Sequence, residues 1–248
     1  KKINMSGVNS INWARIVFQI VYYFYSYFKL STKDKINFSV PTGNFGDVYA
    51  GYLAQKMGLP INKLIVSTNE NDILQRVINK GEYKPTKVKS SISPSMDIQV
   101  ASNFERLIFD ALKTNDKEVV SLMLELKKNG SFKLKKEALE FIQKRFSAVK
   151  VDDVETSKTI EKIFKKYNFI VDPHTAIAIK AFEKNDDKTK TVCLATAHPY
   201  KFVETVEKII NIKMEIPIQG SFLGPEEKYE ILENDIDIIK KYIENKIQ

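Results

Sequence analysis

Apolar and polar positions follow two periods along this chain. Short β-branched or apolar runs, of the length of buried strands, stand at 36–40, 63–69 and 190–196. Segments with apolar residues every three to four positions predict helices at 47–60, 154–168, 172–185 and 200–210. Strands and helices in this alternation build a parallel sheet with helices on its faces. We therefore expect an α/β fold with an open, mostly parallel sheet flanked by helices.

The stretch 9–28 predicts a further helix of a different kind. It begins with Asn9 and Ser10, which are good helix caps, and then stays apolar almost all round. Its most apolar part, 16–28, is interrupted by Gln19 and is shorter than the ~20 residues that span a bilayer. We interpret it as a helix buried inside a layered domain.

The strand and helix patterns of the sequence divide the chain into four parts. We expect an α/β core over 1–95, a helical insertion without strands over 96–150, and a return to the α/β core over 151–215. The tail, 216–248, carries Pro and Gly and then a final amphipathic helix. The chain opens on Lys instead of an initiator Met, so we suspect that it is the later part of a longer protein.

Composition narrows the partners. The formal net charge of +8 comes almost entirely from lysines interleaved with acidic residues, with only four arginines, which favours a solvated surface over a nucleic-acid site. One cysteine excludes an internal disulfide and a cysteine metal site. Without a signal-peptide pattern the cytoplasm is the default compartment. We expect a small-molecule substrate and neither a membrane nor a metal.

The string GNFGD, 43–47, joins the first predicted strand to a helix. A glycine-rich turn there exposes backbone N–H groups at the positive end of the helix dipole, where phosphates bind. Gly43 and Gly46 allow a close approach of the backbone, and Asn44 adds an amide donor. We expect Asp47 to cap the helix and to present only its N–H to the guest. Taken alone, the motif also fits a plain strand-to-helix turn.

A second polar cluster opens the helix at 9–28. Arg15 is the only charged side chain between residues 3 and 28. A buried arginine needs an anionic partner, which is either a structural carboxylate or a bound anion.

A third cluster, TAHPYK at 196–201, follows the last predicted strand, and ligands bind at strand carboxyl ends in open α/β sheets. His198 is a candidate acid or base, although a lone histidine at a strand end is more often a structural hydrogen-bonding group. His174, at a predicted helix start, has the same two interpretations. Cys193, inside the strand, is interpreted as a small buried core residue.

Together these strings resemble the threonine synthase family. NSINWARI, VPTGNFGDVYAGYLA, STNENDIL, SPSMDIQVASNFERLIFD, VDPHTA and LATAHPYKF occur in the order found in its bacterial and fungal branch, and the resemblance covers essentially the whole chain. It implies a pyridoxal-phosphate (PLP) enzyme of the tryptophan-synthase-like fold. Its members convert O-phospho-L-homoserine and water into L-threonine and phosphate, which makes them lyases of threonine biosynthesis.

The resemblance also implies roles for individual residues. Gly43, Asn44, Phe45, Gly46 and Asp47 match the loop for the cofactor phosphate. Thr196 matches the residue that hydrogen-bonds the pyridine nitrogen, where a neutral hydroxyl leaves that nitrogen unprotonated. Asn9, Ser10 and Arg15 match the residues that hold the substrate phosphate in the family.

One departure from the family is serious. The family's Schiff-base lysine lies in a Phe-Lys-Asp motif before the NSINWAR helix, and nothing ahead of Asn9 matches it. Lys133 follows a Gly-Ser-Phe string but lies in the wrong part of the chain, and Lys201 belongs to the TAHPYKF string. We therefore expect no catalytic lysine in this chain, an incomplete enzyme that is inactive alone, and the missing amino-terminal part as its partner. The alternatives are a PLP-dependent dehydratase of the same fold and a binding module that lost the lysine.

Overall fold

The computed structural model describes residues 9, 11–214 and 229–246. The described residues up to Ile212 belong to one compact unit, and those from Lys213 onward belong to a second. Ser10 and, in the predicted tail, residues 216–228 and 247–248 lie outside the described residues.

The elements follow one another in an α/β order. The strands are β1 (Ile36–Pro41), β2 (Ile61–Thr68), β3 (Glu82–Tyr83), β4 (Phe132–Lys133), β5 (Phe146–Lys150) and β6 (Thr191–Cys193). The helices are α1 (Trp13–Lys29), α2 (Gly46–Lys56), α3 (Ile73–Lys80), α4 (Phe104–Ala111), α5 (Asp116–Asn129), α6 (Lys136–Gln143), α7 (Asp153–Tyr167), α8 (Pro173–Glu183), α9 (Val203–Ile210) and α10 (Ile236–Lys246). Within the described ranges, no helix is both long and apolar enough to cross a membrane.

Four strands form the central sheet in the order β5-β2-β1-β6, and each neighbouring pair is parallel. All six residues of β1 are buried, as expected for a strand that is covered on both faces. The β1–α2–β2 unit that the sequence predicted is present, with Val40 opposite Val66. The predicted α/β class, with an open parallel sheet flanked by helices, is therefore confirmed.

The segment 96–150 is mostly helical, but the prediction that no strand interrupts it is wrong. Phe146–Lys150 is an outer strand of the central sheet, and a two-residue strand, β4, pairs with β3 in a small antiparallel sheet. β5 was missed because Ser147 and Lys150 interrupt its apolar pattern and its five-residue length weakens the strand signal, while the parallel partner β2 supplies the hydrogen bonds.

Helix α1 departs most from its prediction. Ile16, Tyr23 and Tyr27 are buried in the core, and Ile20 and Phe24 are partly buried against it, but its other large apolar side chains are exposed. The exposed ones are Trp13, Val17, Phe18, Val21, Tyr22, Tyr25 and Phe28, with Phe18 72% exposed. The prediction of a buried helix is wrong for this structure, because the sheet and α2 cover only one face of a helix that is apolar on both.

Candidate functional site

Two loops predicted to carry chemistry meet at one edge of the central sheet. The loop 42–45 leaves the carboxyl end of β1, and the segment 194–198 leaves the carboxyl end of the neighbouring β6. Since β1 and β6 are parallel, both loops emerge at the same edge. This is the edge at which open α/β sheets bind ligands.

The GNFG turn has the geometry of an anion site. Phe45 has φ 71°, in the left-handed region, although it is not glycine. A left-handed residue at a helix start turns successive N–H groups towards one concavity that favours anions. The N–H groups of Asn44, Phe45 and Asp47 donate to no acceptor among the described residues. The turn therefore offers three free donors at the positive end of α2.

The side chain of Phe45 takes no part in that concavity. It is fully buried, edge-on to Phe104 at 5.1 Å between ring centroids and tilted against Phe146. This packing holds the residue in an unfavourable backbone conformation, which costs of order 1–3 kcal/mol and persists only when the surroundings impose it. Only the backbone of Phe45 can contact an anion.

Gly43 is required for a different reason. A Cβ built there would lie 2.8 Å from the carbonyl oxygen of Ser95 and 3.2 Å from the Cα of Met96. The SPSM segment thus packs directly against the turn, and a side chain would push the two apart. The sequence explained the glycine by the approach of a ligand, whereas the structure shows an approach of backbone.

Asp47 does not cap α2, so that prediction is wrong. Its Oδ1 instead accepts a hydrogen bond from the Tyr23 hydroxyl at 3.1 Å, and the same hydroxyl lies 2.8 Å from the Asp47 carbonyl oxygen. The turn is braced instead by Asn44, whose Oδ1 accepts the Gly46 N–H at 2.9 Å. Burial raises the pKa of Asp47 to about 6, against the lowering effect of the Tyr23 hydrogen bond.

A cleft of about 500 Å³ lies between α1 and the end of β6. Its walls bring together Arg15, Asp47 and Thr196, which come from three of the predicted clusters. The remaining lining residues are Gln19, Tyr22, Tyr25, Ser26, Val192, Cys193, Leu194 and Ala195. The cleft therefore joins the predicted substrate-phosphate helix to the predicted partner of the pyridine nitrogen.

Arg15 has no structural anion partner in the part of the chain that the structure describes. The side chain is exposed at the cleft and not buried, so the first alternative, a structural carboxylate, is not observed. Gln19, one turn further along α1, has a buried Oε1 without a hydrogen-bond partner among the described residues. The wall thus presents a cation to the cleft, and Gln19 keeps a buried acceptor beside it.

Asn9 stabilises the turn that leads into α1. Its Oδ1 accepts the Ile11 N–H and its carbonyl oxygen accepts the Asn12 N–H, both at 3.0 Å. The side-chain oxygen is therefore engaged within the turn. Ser10, the third predicted member of this group, lies outside the described residues.

Both histidines make structural hydrogen bonds. His198 Nδ1 accepts the Tyr200 N–H at 3.3 Å and caps a short 3-10 helix, Pro199–Phe202. His174 is buried, and its Nδ1 lies 2.9 Å from the Asp172 carboxylate, whose pKa is lowered by hydrogen bonds from His174 and Thr175 against the raising effect of burial. These bonds support the structural interpretation of both histidines.

Cys193 is only partly buried and lines the cleft, so its interpretation as a plain core residue is not supported. Burial raises the pKa of its thiol to about 12, and the thiol is therefore protonated near neutral pH.

Neither rejected lysine reaches the cleft. Lys133 is exposed on β4, opposite Glu82 in the small sheet. Lys201 is exposed in the 3-10 helix after His198. Among the described residues, no lysine lines the cleft. The described residues also contain no group of three or more metal-ligating side chains.

Sequence reasoning missed the polar network behind the turn. The amide of Asn69, just beyond β2, donates to Ser93 Oγ at 3.0 Å and to Asp97 Oδ1 at 2.8 Å. Asp97 Oδ2 accepts the Ser91 N–H at 3.0 Å, which ties down the segment that packs on Gly43. The available signal was an asparagine at a strand end, together with the serine-rich stretch 90–95, which lacks any strand or helix pattern.

Comparisons with known proteins give one consistent result. The family model described as threonine synthase, C-terminal, matches residues 175–243. The threonine synthases of Saccharomyces cerevisiae and Pseudomonas aeruginosa are each 41% identical, over 99% and 98% of this chain. A crystal structure of PLP-bound threonine synthase from Brucella melitensis matches with a TM-score of 0.90 and 43% identity over 97% of this chain. The chain spans about half the length of these relatives, 54%, 53% and 52% in turn.

Proposed function

Because the chain belongs to the threonine synthase family, we propose that it forms the PLP-phosphate and substrate-phosphate sites of an enzyme that converts O-phospho-L-homoserine and water into L-threonine and phosphate. In reaction class this is a PLP-dependent carbon–oxygen lyase acting on a phosphate ester. The observation that carries the proposal is the shared cleft, which is lined by Thr196 and by Arg15, a cation with no ion-pair partner among the described residues.

The residues of the GNFG turn fit a phosphate group. Three N–H groups at the start of α2, which donate to no acceptor among the described residues, supply donors, and the helix dipole favours negative charge. The Asn44 Oδ1 accepts the hydrogen bond from the Gly46 N–H, which leaves the Asn44 Nδ2 as a further donor. PLP, when bound, supplies the electron sink that stabilises carbanions next to the amino group of a substrate.

Thr196 has the position and the chemistry for the ring end of that cofactor. It is exposed at the cleft, three residues beyond the end of β6. Its hydroxyl makes no hydrogen bond within the described residues, so it is available to a ring nitrogen. A neutral donor there does not protonate the nitrogen, so the charge of the ring is left to neighbouring groups.

Arg15 is the group of this chain that best suits the phosphate of the substrate. A guanidinium binds a phosphate through two parallel N–H···O bonds, which fixes orientation as well as charge. The Tyr23–Asp47 hydrogen bond connects α1 to α2, and hence the helix that carries Arg15 to the turn that binds the cofactor phosphate. The distance between the two proposed phosphate sites is thereby set within this chain.

The group that forms the covalent bond with the cofactor and moves the α proton is expected to come from outside this chain. No lysine of the described ranges lines the cleft, and the relatives are about twice as long. We infer that the polypeptide carrying that lysine packs on the exposed apolar face of α1. Tyr22 and Tyr25 line the cleft and also lie on that face, so a segment that covers the face also closes the cleft.

A dehydratase of the same fold accounts less well for the cleft. Such an enzyme binds no phosphate ester and has no use for an unpaired arginine beside the cofactor site. A binding module without catalysis accounts for the anion-binding turn, but it gives no role to Arg15 in the wall of the cleft. The proposed compartment is the cytoplasm, where amino-acid biosynthesis supplies the substrate.

Substitution of Arg15 tests the proposal in the complete protein. Arg15→Leu leaves the substrate phosphate without its charged partner, a loss of about 2–5 kcal/mol, which corresponds to a KM for O-phospho-L-homoserine raised roughly 30-fold or more. PLP affinity, measured by absorbance titration, is expected to stay nearly constant. Arg15→Lys, which keeps the charge but not the fork, should give an intermediate KM. An unchanged KM in a folded Arg15→Leu protein would show that Arg15 does not bind the substrate.

A further inference from the structure

A continuous line of contacts joins the cofactor-phosphate turn to the start of the substrate-phosphate helix. The N–H of Asn103 donates to the Asn44 carbonyl oxygen at 3.0 Å, and the Asn103 amide lies 3.3 Å from the same oxygen. Arg106 Nε donates to Asn103 Oδ1 at 3.1 Å. Arg106 Nη2 then donates to the carbonyl oxygen of Ile11 at 2.9 Å. Two side chains of one short segment thus contact Asn44 of the turn and Ile11, which lies between Asn9 and Arg15.

The Ile11 carbonyl needs such a partner. Ile11 precedes Asn12, the residue that caps α1, so its carbonyl oxygen lies outside the ladder of helical hydrogen bonds. The guanidinium of Arg106 supplies the donor and also lies over the ring of Trp13, 5.4 Å from its centroid. Bonds from a charged donor are about twice as strong as neutral ones. The entry of the chain into α1 is therefore held from outside the helix.

The other end of the line is fixed by burial. Asn103 is 1% exposed, next to Phe104, whose ring packs on Phe45 of the turn. A buried amide with several hydrogen bonds has little freedom to move. Arg106 therefore spans from a rigid support to Ile11, which lies between Asn9 and Arg15.

We propose that Arg106, supported by Asn103, is a positioning residue that sets the substrate-phosphate helix relative to the cofactor-phosphate turn. It does not touch either phosphate. This inference rests on the proposed function, and it adds the residue that holds the substrate-phosphate site in position relative to the cofactor-phosphate turn. Loss of Arg106 is expected to loosen the Arg15 site while it leaves the turn, which Asn44, Gly43 and Phe45 hold independently.

The test compares Arg106→Gln and Arg106→Lys with a matched control in the complete protein. Arg145 is that control, because its Nη1 donates to the Phe141 carbonyl oxygen at 2.9 Å and its guanidinium lies over the Phe141 ring. It makes the same two kinds of contact just before β5, at the opposite edge of the sheet. Three quantities are measured for each protein: PLP affinity by titration, affinity for inorganic phosphate by calorimetry, and KM and kcat with O-phospho-L-homoserine.

Arg106→Gln should weaken phosphate binding and raise KM roughly tenfold or more, as expected for the loss of one charge-assisted hydrogen bond and a cation–π contact. PLP affinity and kcat should change less than about threefold. Arg106→Lys, which keeps the charge with a single donor to the carbonyl, should recover part of the affinity, and Arg145→Gln should change none of the three.

Two results would overturn the inference: phosphate affinity in Arg106→Gln equal to that in Arg145→Gln, or a parallel loss of PLP and phosphate affinity in both Arg106 variants. If the parent protein does not act on O-phospho-L-homoserine, the proposed function fails, while the inorganic-phosphate titration still decides the role of Arg106.

Discussion

Replacing Gly43 with alanine should damage cofactor binding more than it damages the fold. The added Cβ would lie 2.8 Å from the Ser95 carbonyl oxygen and 3.1 Å from Ile98 Cδ1, well inside ordinary contact distance. The Ile98 side chain can rotate away, but the Ser95 oxygen belongs to a backbone segment held by Asp97. The turn itself is therefore the part that must move.

The expected magnitude follows from that collision. Inserting a methyl group into a packed site costs typically 1–3 kcal/mol. Because the displaced turn carries the free N–H groups, much of this loss should appear as weaker PLP binding, on the order of 5- to 150-fold in Kd. The measurement is a PLP titration of the apoprotein followed by absorbance, with thermal unfolding of the same apoprotein.

Gly58→Ala is the matched control. Gly58 has φ 103°, so alanine is strained there and should lose about 1 kcal/mol or more of stability, but its Cβ would meet nothing within 4 Å. It lies beyond the far end of α2, away from the turn. Equal PLP affinities in the two variants at matched loss of stability would refute the account of Gly43.

Three further predictions concern the same part of the molecule. Burial raises the pKa of Asp47 from 3.8 to about 6, so the contribution of this carboxyl to stability falls as the pH rises through that interval. Asp47→Asn should therefore flatten the decline in Tm between pH 4 and 7. An unchanged slope of Tm against pH would exclude this carboxyl as the source of the decline. Thr196→Val should lower kcat roughly tenfold through loss of one hydrogen bond to the cofactor ring, and wild-type kcat would contradict the assignment. Phe18→Ser should destabilise the complete protein by about 2–4 kcal/mol if the face of α1 is covered there, whereas Phe169→Ser, at a side chain that is 62% exposed, should change stability by less than about 0.5 kcal/mol; equal effects on urea unfolding would argue against a covered face.

The sheet could be predicted from the sequence because its central strands carry their own signal. INFSV and KLIVSTN are short apolar runs bounded by polar residues, and they became β1 and β2 in the expected parallel pairing. β5 could not be predicted in the same way, since Ser147 and Lys150 interrupt its pattern and its pairing with β2 is a long-range contact. Local periodicity does not report contacts of that kind.

In the candidate site, too, local features could be predicted from the sequence and long-range contacts could not. A glycine pair between a strand and a helix predicts an anion cradle without knowledge of the fold, and the structure has free donors at that place. The partner of Asp47 could not be predicted, because Tyr23 is far along the chain and its hydroxyl reaches α2 only after α1 packs on it. The roles of Asn69, Asn103 and Arg106 could not be predicted from the sequence for the same reason. The exposed face of α1 was misjudged because composition gives the apolar area of a helix and not the surfaces that cover it.

The most direct test of the central claim is the reaction itself, measured on the complete protein and on the isolated 248-residue chain. Each is incubated with PLP and O-phospho-L-homoserine, and threonine and phosphate are quantified together, with serine and threonine as alternative substrates for dehydration. The account predicts equal amounts of threonine and phosphate from the complete protein and no product from the isolated chain, in which no lysine of the part described by the structure lines the cleft. Absence of both products from the complete protein, dehydration of serine or threonine in their place, or turnover by the isolated chain would contradict it.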